Sequence, residues 1–204
     1  MGLLDKLNPV KVLKESKLRY KEAVEEELKK REERLIERIE IEIPKGDRTE
    51  TLAVISEGDL SLVEPIAQNR VPIILKKNEV CYANVQDAQF WEDRAVRKTG
   101  GGYGGFNFRV AKGVSFHVGK FGATGESHME RRHIDTGNVF VTNKRFVFIG
   151  SSKSIDFPLN KVLSVEPFSD GVGIARSNKQ KTEYFIGFYG LIIKAVMDGA
   201  IKSL

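Results

Sequence analysis

A single cysteine, Cys81, is present in 204 residues, so no disulfide can form within the chain. That usage points to a reducing compartment, and the cytoplasm is the expected address. Histidine is nearly as scarce. His117, His128 and His133 have around them no cysteine or histidine that completes a metal-ligand set. No Gly-x-Ser-x-Gly elbow and no His-Glu-x-x-His helix occurs, and the glycine cluster at 100–105 has no Gly-Lys-Ser/Thr ending. The residues that carry catalysis are therefore not assembled in any readable pattern. The expectation is a non-enzymatic protein with no cofactor and no metal.

Long apolar runs are missing too. The longest candidates, such as Val71–Leu75, are a few residues, far short of the roughly 20 needed to span a bilayer. The opening MGLLDKLNPVKVLKESK has no continuous apolar segment with a small-residue cleavage site, so it does not read as a signal peptide. Gly2 is followed by Lys6 where a myristoylation signal favours Ser or Thr, so lipidation is not expected.

Charge is abundant and unevenly placed. Residues 1–69 hold 13 Lys and Arg against 16 Asp and Glu, a balance of −3. Residues 70–204 hold 20 against 12, a balance of +8, so anionic partners would be drawn to the second region.

Helical and strand-like patterns divide the chain at a similar place. Residues 3–40 read as helix, because Val10–Glu40 contains neither Pro nor Gly and is rich in Glu, Lys, Arg and Leu. Fourteen of residues 21–40 are charged, leaving a narrow stripe of Val24, Leu28, Leu35 and Ile39 on one face. Arg31 and Arg38 sit where a coiled coil wants apolar residues, so the heptad is incomplete. The leading Leu3, Leu4 and Leu7 suit a docking or oligomer contact better than a membrane interface, since Pro9 interrupts that turn. The chain thus divides into a charged N-terminal helix over 1–43, a connector over 44–69, and a β domain over 70–204.

Within the last of these, short apolar stretches alternate with turns. Glu79–Val85 is a strand candidate, while Ala88–Arg97 is ambiguous between strand and helical turn. Phe106, Phe108 and Val110 alternate with polar residues, Ala111-Lys112-Gly113 turns, and Val114–Val118 returns. A polar loop is expected over Gly119–Ser127. Val139–Val141, Arg145–Ile149, Ile155–Leu159, Val162–Val165, Val172–Ala175 and Thr182–Ile186 follow, with Asp170-Gly171 as a hairpin dipeptide whose glycine tolerates positive φ. Many short strands without crossover helices indicate an antiparallel sandwich or barrel. Residues 189–204 read as a closing helix with Ile193, Val196, Ala200 and Leu204 on one face.

The segment Asp135-Thr136-Gly137-Asn138-Val139-Phe140-Val141-Thr142-Asn143-Lys144-Arg145-Phe146-Val147-Phe148 resembles the G-x-L-x-[IV]-T-[ND]-x-R-[LI]-x-F core of GRAM and bacterial pleckstrin-homology-like domains. KSIDFPLNKVLSVEPFSDGVGI is similar to their continuation, and GGGYGGFNFRVAKGVSFHVG to the glycine-rich strand pair that precedes the core. The resemblance covers roughly residues 70–204. It implies an α+β fold: a PH-like antiparallel β-sandwich or barrel of about seven strands, capped by a C-terminal helix, with an N-terminal helical extension. It also implies a binding module whose partners are proteins, further copies of itself, or anionic lipid headgroups.

Gly137, Thr142, Arg145, Phe148, Asp170 and Gly171 are then the structural core of the motif, with Arg145 pairing a carboxylate such as Asp135. Lys76, Lys77, Arg97, Lys98, Arg109, Lys112 and Lys144 are candidates for a basic rim that contacts an anion or partner. Cys81 lies in an apolar strand, where a buried hydrophobe fits better than a nucleophile. His133 reads as a strand-edge residue. Nucleic acid is not the expected partner, since Phe106 and Phe108 suit the core and no RNP or helix-turn-helix signature is present. The leading expectation is a cytoplasmic scaffold acting through protein partners or self-association. The second is a peripheral protein binding anionic lipid at the inner face of the membrane.

Overall fold

The computed structural model describes the backbone of residues 9–44, 47–100, 105–111, 114–119 and 124–204, and side chains within 13–44, 47–95 and 129–204. Three helices and ten strands lie along the described chain. Helix α1 (Pro9–Glu37) leads to the two-residue strand β1 (Ile39–Glu40) and helix α2 (Arg48–Ser56). Strands β2 (Cys81–Gly100), β3 (Gly105–Ala111), β4 (Val114–Gly119), β5 (Thr124–Thr142), β6 (Arg145–Gly150) and β7 (Ser154–Pro158) follow. Strands β8 (Val162–Phe168), β9 (Gly171–Arg176) and β10 (Lys179–Ile186) complete the sheet, and helix α3 (Gly190–Lys202) closes it.

Seven long strands pair antiparallel in the order β7-β6-β5-β2-β10-β9-β8, with β1 added beside β2. Strand β2 is the seam, pairing with β5 along its length and with β10 over Gln89–Glu92. Two antiparallel meanders therefore meet at the first and last long strands, and α3 packs on β8, β9, β5 and β2. An antiparallel sheet of seven main strands closed by a C-terminal helix, with α1 as the helical extension, is the α+β architecture expected from the sequence. Ala88–Arg97, ambiguous in sequence, is strand throughout, and Thr124–Ser127 of the expected polar loop pairs with Arg97–Gly100. Beyond Glu92, β2 is paired to β5 alone, making a two-stranded arm of about 25 Å at about 3.3 Å per residue. Strands β3 and β4 pair with each other in a separate two-stranded sheet. Residues 3–8 of the expected first helix, the turn at Lys112-Gly113 and most of the glycine cluster lie outside the described residues.

The core is aromatic. Phe185 packs against Phe90, Phe146 and Phe148 with ring centroids 5.2, 4.7 and 5.6 Å apart, and Phe146 stacks on Phe157 at 5.2 Å. Strict alternation places Phe146 and Phe148 inside this core and Val147 on the opposite face. That opposite face is also covered. Val147 and Phe140 pack with Ile66, Val71, Ile73 and Cys81 in a second apolar cluster. Residues 71–75, strand-like in composition, are an irregular segment that covers it, Val71 and Ile73 pointing in and Ile74 out. Burial on both faces explains why Val139-Phe140-Val141 is apolar without interruption.

Residues 39–63 supply core side chains as well. Ile39, Ile55, Leu60 and Val63 belong to the main cluster, each under 9% exposed. Asp47 caps α2, its side chain accepting the Thr49 N–H at 2.8 Å, and α2 lies against α3.

Candidate functional site

The turn between β5 and β6 is a polar hub built from Thr142, Asn143 and Arg145. Thr142 Oγ1 accepts the backbone N–H of Lys144 at 3.1 Å and of Arg145 at 2.9 Å, and lies 2.8 Å from Glu79 Oε1, to which it donates. Asn143 Oδ1 accepts the Val80 N–H at 3.0 Å while its Nδ2 donates to Asn78 O at 3.1 Å. Arg145 donates to Glu79 Oε1 at 2.7 Å, Asp156 Oδ2 at 2.6 Å and Ile74 O at 2.7 Å. Its carboxylate partners are therefore Glu79 and Asp156, not Asp135. Burial alone would raise the Glu79 pKa, but Arg145, the Lys76 N–H and Thr142 together hold it below the usual range. The motif's polar residues are saturated by one another, so the hub pins the 71–80 segment and offers no free reactive group.

Asp135 has a different task. Its carboxylate accepts the Ser151 hydroxyl at 2.7 Å and the backbone N–H groups of Ser152, Lys153 and Thr136 at 2.7, 2.8 and 2.9 Å. These donors hold its pKa well below the ordinary value and fix the β6–β7 turn. Gly137 sits where a Cβ would meet the Ile149 carbonyl oxygen at 2.0 Å, which keeps β5 and β6 close. Asp170 holds Arg31 of α1 at 3.3 Å. Gly171 does not take up the positive φ expected of its hairpin; among the described residues the left-handed glycines are Gly58 and Gly187. A Cβ on Gly171 would lie 2.2 Å from Phe185 O, so close strand approach is what requires it. Phe148 is fully buried.

The basic candidates separate. Lys76, Lys77 and Lys144 gather beside the hub, Lys144 Nζ donating to Lys77 O at 2.6 Å. Ile74, on the same segment, is 90% exposed. Arg97 and Lys98 stand at the far end of β2, 16 residues from Cys81, roughly 50 Å along the strand at about 3.3 Å per residue. Arg109 is on β3, in the separate two-stranded β3–β4 sheet. The side chains of Arg97, Lys98 and Arg109, and Lys112 altogether, lie outside the described residues. Among the described residues, β2 thus separates the backbone positions of Arg97 and Lys98 from the lysines beside the hub.

Another charged cluster was not legible in sequence. Arg176 donates to the buried Glu183 at 2.5 and 3.0 Å, Lys179 donates to Glu183 at 2.7 Å and to Glu92, and Lys153 lies 3.8 Å from Glu92. Burial raises the Glu92 pKa, and Lys179 first among its neighbours outweighs it, leaving the group below its usual range. Both carboxylates are held by cations, and the cluster ties β10 to β2 and β9. Glu92 and Glu183 are cross-strand partners far apart in sequence, so only the register reveals them.

Cys81 is buried and its thiol is pushed up to about 12 by desolvation, the state of an inert side chain. His133 Nε2 lies 3.0 Å from Thr136 Oγ1, and its ring meets Trp91 edge-on at 5.3 Å. No helix among the described residues is long and apolar enough to cross a membrane.

Helix α1 is the other notable surface. It touches the rest of the chain only near its end: Arg31 reaches Asp170, Leu35 O accepts the Tyr189 N–H at 3.3 Å, and Ile36 packs on the core. Every residue from Leu13 to Arg31 is exposed, among them Leu13, Tyr20, Val24 and Leu28.

No family model matches the sequence, and no curated protein does. Among solved structures the chain is matched to the Vps36 N-terminal PH domain. The identity is 10% and the TM-score 0.39, over 63% of this chain and 83% of that one.

Proposed function

We propose that this chain is a non-enzymatic binding module that acts through protein contacts, self-association foremost. The observation that carries the reading is α1, a helix of 29 residues anchored by its last two turns and exposed at every residue from Leu13 to Lys30. Leu13, Tyr20 and Leu28 are more than half exposed on one face. The motif's charged residues, by contrast, are spent on internal pairs. The same core motif supports placing the chain with bacterial PH-like and GRAM-like proteins of the cytoplasm. Light scattering on the full-length protein tests the reading. A mass that rises above 22.9 kDa with concentration is expected. A monomer up to roughly 1 mM, where any remaining affinity is weaker than about −4 kcal/mol, overturns self-association.

A second reading rests on Ile74. An apolar side chain that is 90% exposed, on the segment that carries Lys76 and Lys77 and beside Lys144, suits a membrane surface rich in anionic lipid. Co-sedimentation with phosphatidylserine vesicles at low salt should then fall as salt rises. Lys76→Glu with Lys77→Glu should weaken it at least roughly tenfold, at about 1 kcal/mol per surface charge. Failure to bind at low salt ends this reading and leaves the first untouched.

A further inference from the structure

The exposed stretch of α1 carries an ordered distribution of charge. Residues 13–21 hold four basic groups and one acidic, a balance of +3, whereas residues 22–37 hold four basic and seven acidic, a balance of −3. The helix is thus basic in one half and acidic in the other. Its apolar stripe runs through Leu13, Tyr20, Val24, Leu28 and Leu35, within one face at 100° per residue. Along one flank of that stripe stand Lys14, Lys21, Glu25 and Glu32, a row that is basic at its start and acidic at its end.

We infer that α1 pairs antiparallel with α1 of a second copy of this chain, centred near Val24. The inference rests on the self-association reading and adds the partner, the direction and the register. Reversing one helix about Val24 sets Tyr20 across from Leu28 and Leu13 across from Leu35, with Val24 beside its own counterpart. The same reversal brings Lys14 beside Glu32, which its own Arg48 also approaches at 3.9 Å, and Lys21 beside Glu25 of the second copy, and symmetry repeats both pairs. One layer opposes like charges, Lys17 against Arg31, whose guanidinium its own Asp170 already holds at 3.3 Å. A parallel pair lacks this match. It lays the two basic halves side by side and sets Glu32 toward Glu27, like against like. Leu35 and Ile36 already lie half-buried at the base of α1, so the second helix extends an apolar surface that the body of the domain begins.

Charge exchange in the full-length protein tests the pairing. Lys14→Glu with Lys21→Glu should weaken dimerisation at least roughly tenfold, because four exposed pairs become repulsive. Glu25→Lys with Glu32→Lys should do the same. An equimolar mixture of the two variants should recover the affinity, since every pair is again of opposite sign, and the direction is read by cross-linking. Cysteine cross-linking gives an independent reading, because buried Cys81 stays protonated and inert. Tyr20→Cys and a mass-tagged Leu28→Cys should join as mixed dimers and not with themselves. Self-joined dimers of each variant, or no recovery on mixing, overturn the antiparallel pair while a wild-type dimer keeps the self-association reading. A monomeric wild type overturns both.

Discussion

Arg145 and Glu79 lie 66 residues apart in sequence and meet as a buried ion pair, the guanidinium Nε donating to Oε1 at 2.7 Å. Their side chains are only 11% and 0% exposed. The pair joins the β5–β6 turn to the segment that covers the second apolar cluster, with Ile74 O and Thr142 completing the hydrogen bonds. Arg145→Met would leave the Glu79 carboxylate buried with its cation gone. A loss of about 3–5 kcal/mol in urea denaturation is expected. For a domain of this size that corresponds to a fall in Tm of roughly 10 °C. Arg145→Lys should fall between, since an ammonium keeps the charge but cannot reach three acceptors in a plane. A loss below about 1 kcal/mol for Arg145→Met would show that the hub is dispensable.

Acid should destabilise the fold through carboxylates held in their charged form. Asp135, bound first by the Ser151 hydroxyl and then by backbone N–H groups, has a folded pKa below its unfolded value. Glu79 and Glu92 do as well, because their cation and N–H partners outweigh the burial that would raise them. A group depressed in this way stabilises the fold above its unfolded pKa and loses that contribution as pH falls toward its folded one. Stability should therefore be flat near neutrality and decline from about pH 4 downward. Asp135→Asn should be less stable at pH 7 and show a shallower acid limb. The two proteins would be compared by denaturation at stepped pH. An unchanged limb in Asp135→Asn would remove Asp135 from this account.

Gly199 tests two opposed effects at one site. In an exposed helix interior, replacing Gly by Ala adds about 1 kcal/mol of stability. Here a Cβ would lie 2.2 Å from the backbone oxygen of Ile55, where α2 crosses α3. No flexible side chain can swing away from that contact, so the helices must separate. Overpacking of this kind costs about 1–3 kcal/mol. Gly199→Ala should thus destabilise on balance, read as a lower denaturation midpoint; a gain would mean that α2 yields easily.

The parts legible in sequence are those where local pattern and tertiary environment agree. Ile155 and Phe157 alternate with exposed Ser154, Asp156 and Pro158 because one face of β7 is buried, and that pattern needs no partner to be read. The closing helix is equally plain, with Ile193, Val196 and Ala200 all buried, although Leu204, expected on the same face, lies past its end and is exposed. What failed was convergence across distance. Lys77 and Lys144 meet at the hub while Arg97 stands at the opposite end of β2, a separation set by register and strand length. The register of β2 was hidden because its outer half is charged and pairs with β5 alone. Ile74 lies in a short apolar run, and its exposure follows from a segment that is not a strand.

The boundary at the N-terminal side carries the last prediction. Residues 13–30 make their contacts within α1, such as the Lys30–Glu26 bond at 2.6 Å, whereas Arg31, Leu35, Ile36 and Ile39 engage the body. Removing residues 1–29 should therefore leave the thermal midpoint of the monomer nearly unchanged and abolish dimerisation. Removing 1–43 takes away β1, the buried Ile39 and the half-buried Ile36, Ile41 and Ile43. One full burial is worth about 1.5–3 kcal/mol and the three partial ones less each, so about 4 kcal/mol would be lost. Against a typical total of about 5–15 kcal/mol this deletion should unfold or aggregate a large fraction of the protein. Circular dichroism melts of the two truncations would separate the cases. Equal midpoints would mean that β1 and Ile39 contribute nothing to the fold, contrary to their place in its core.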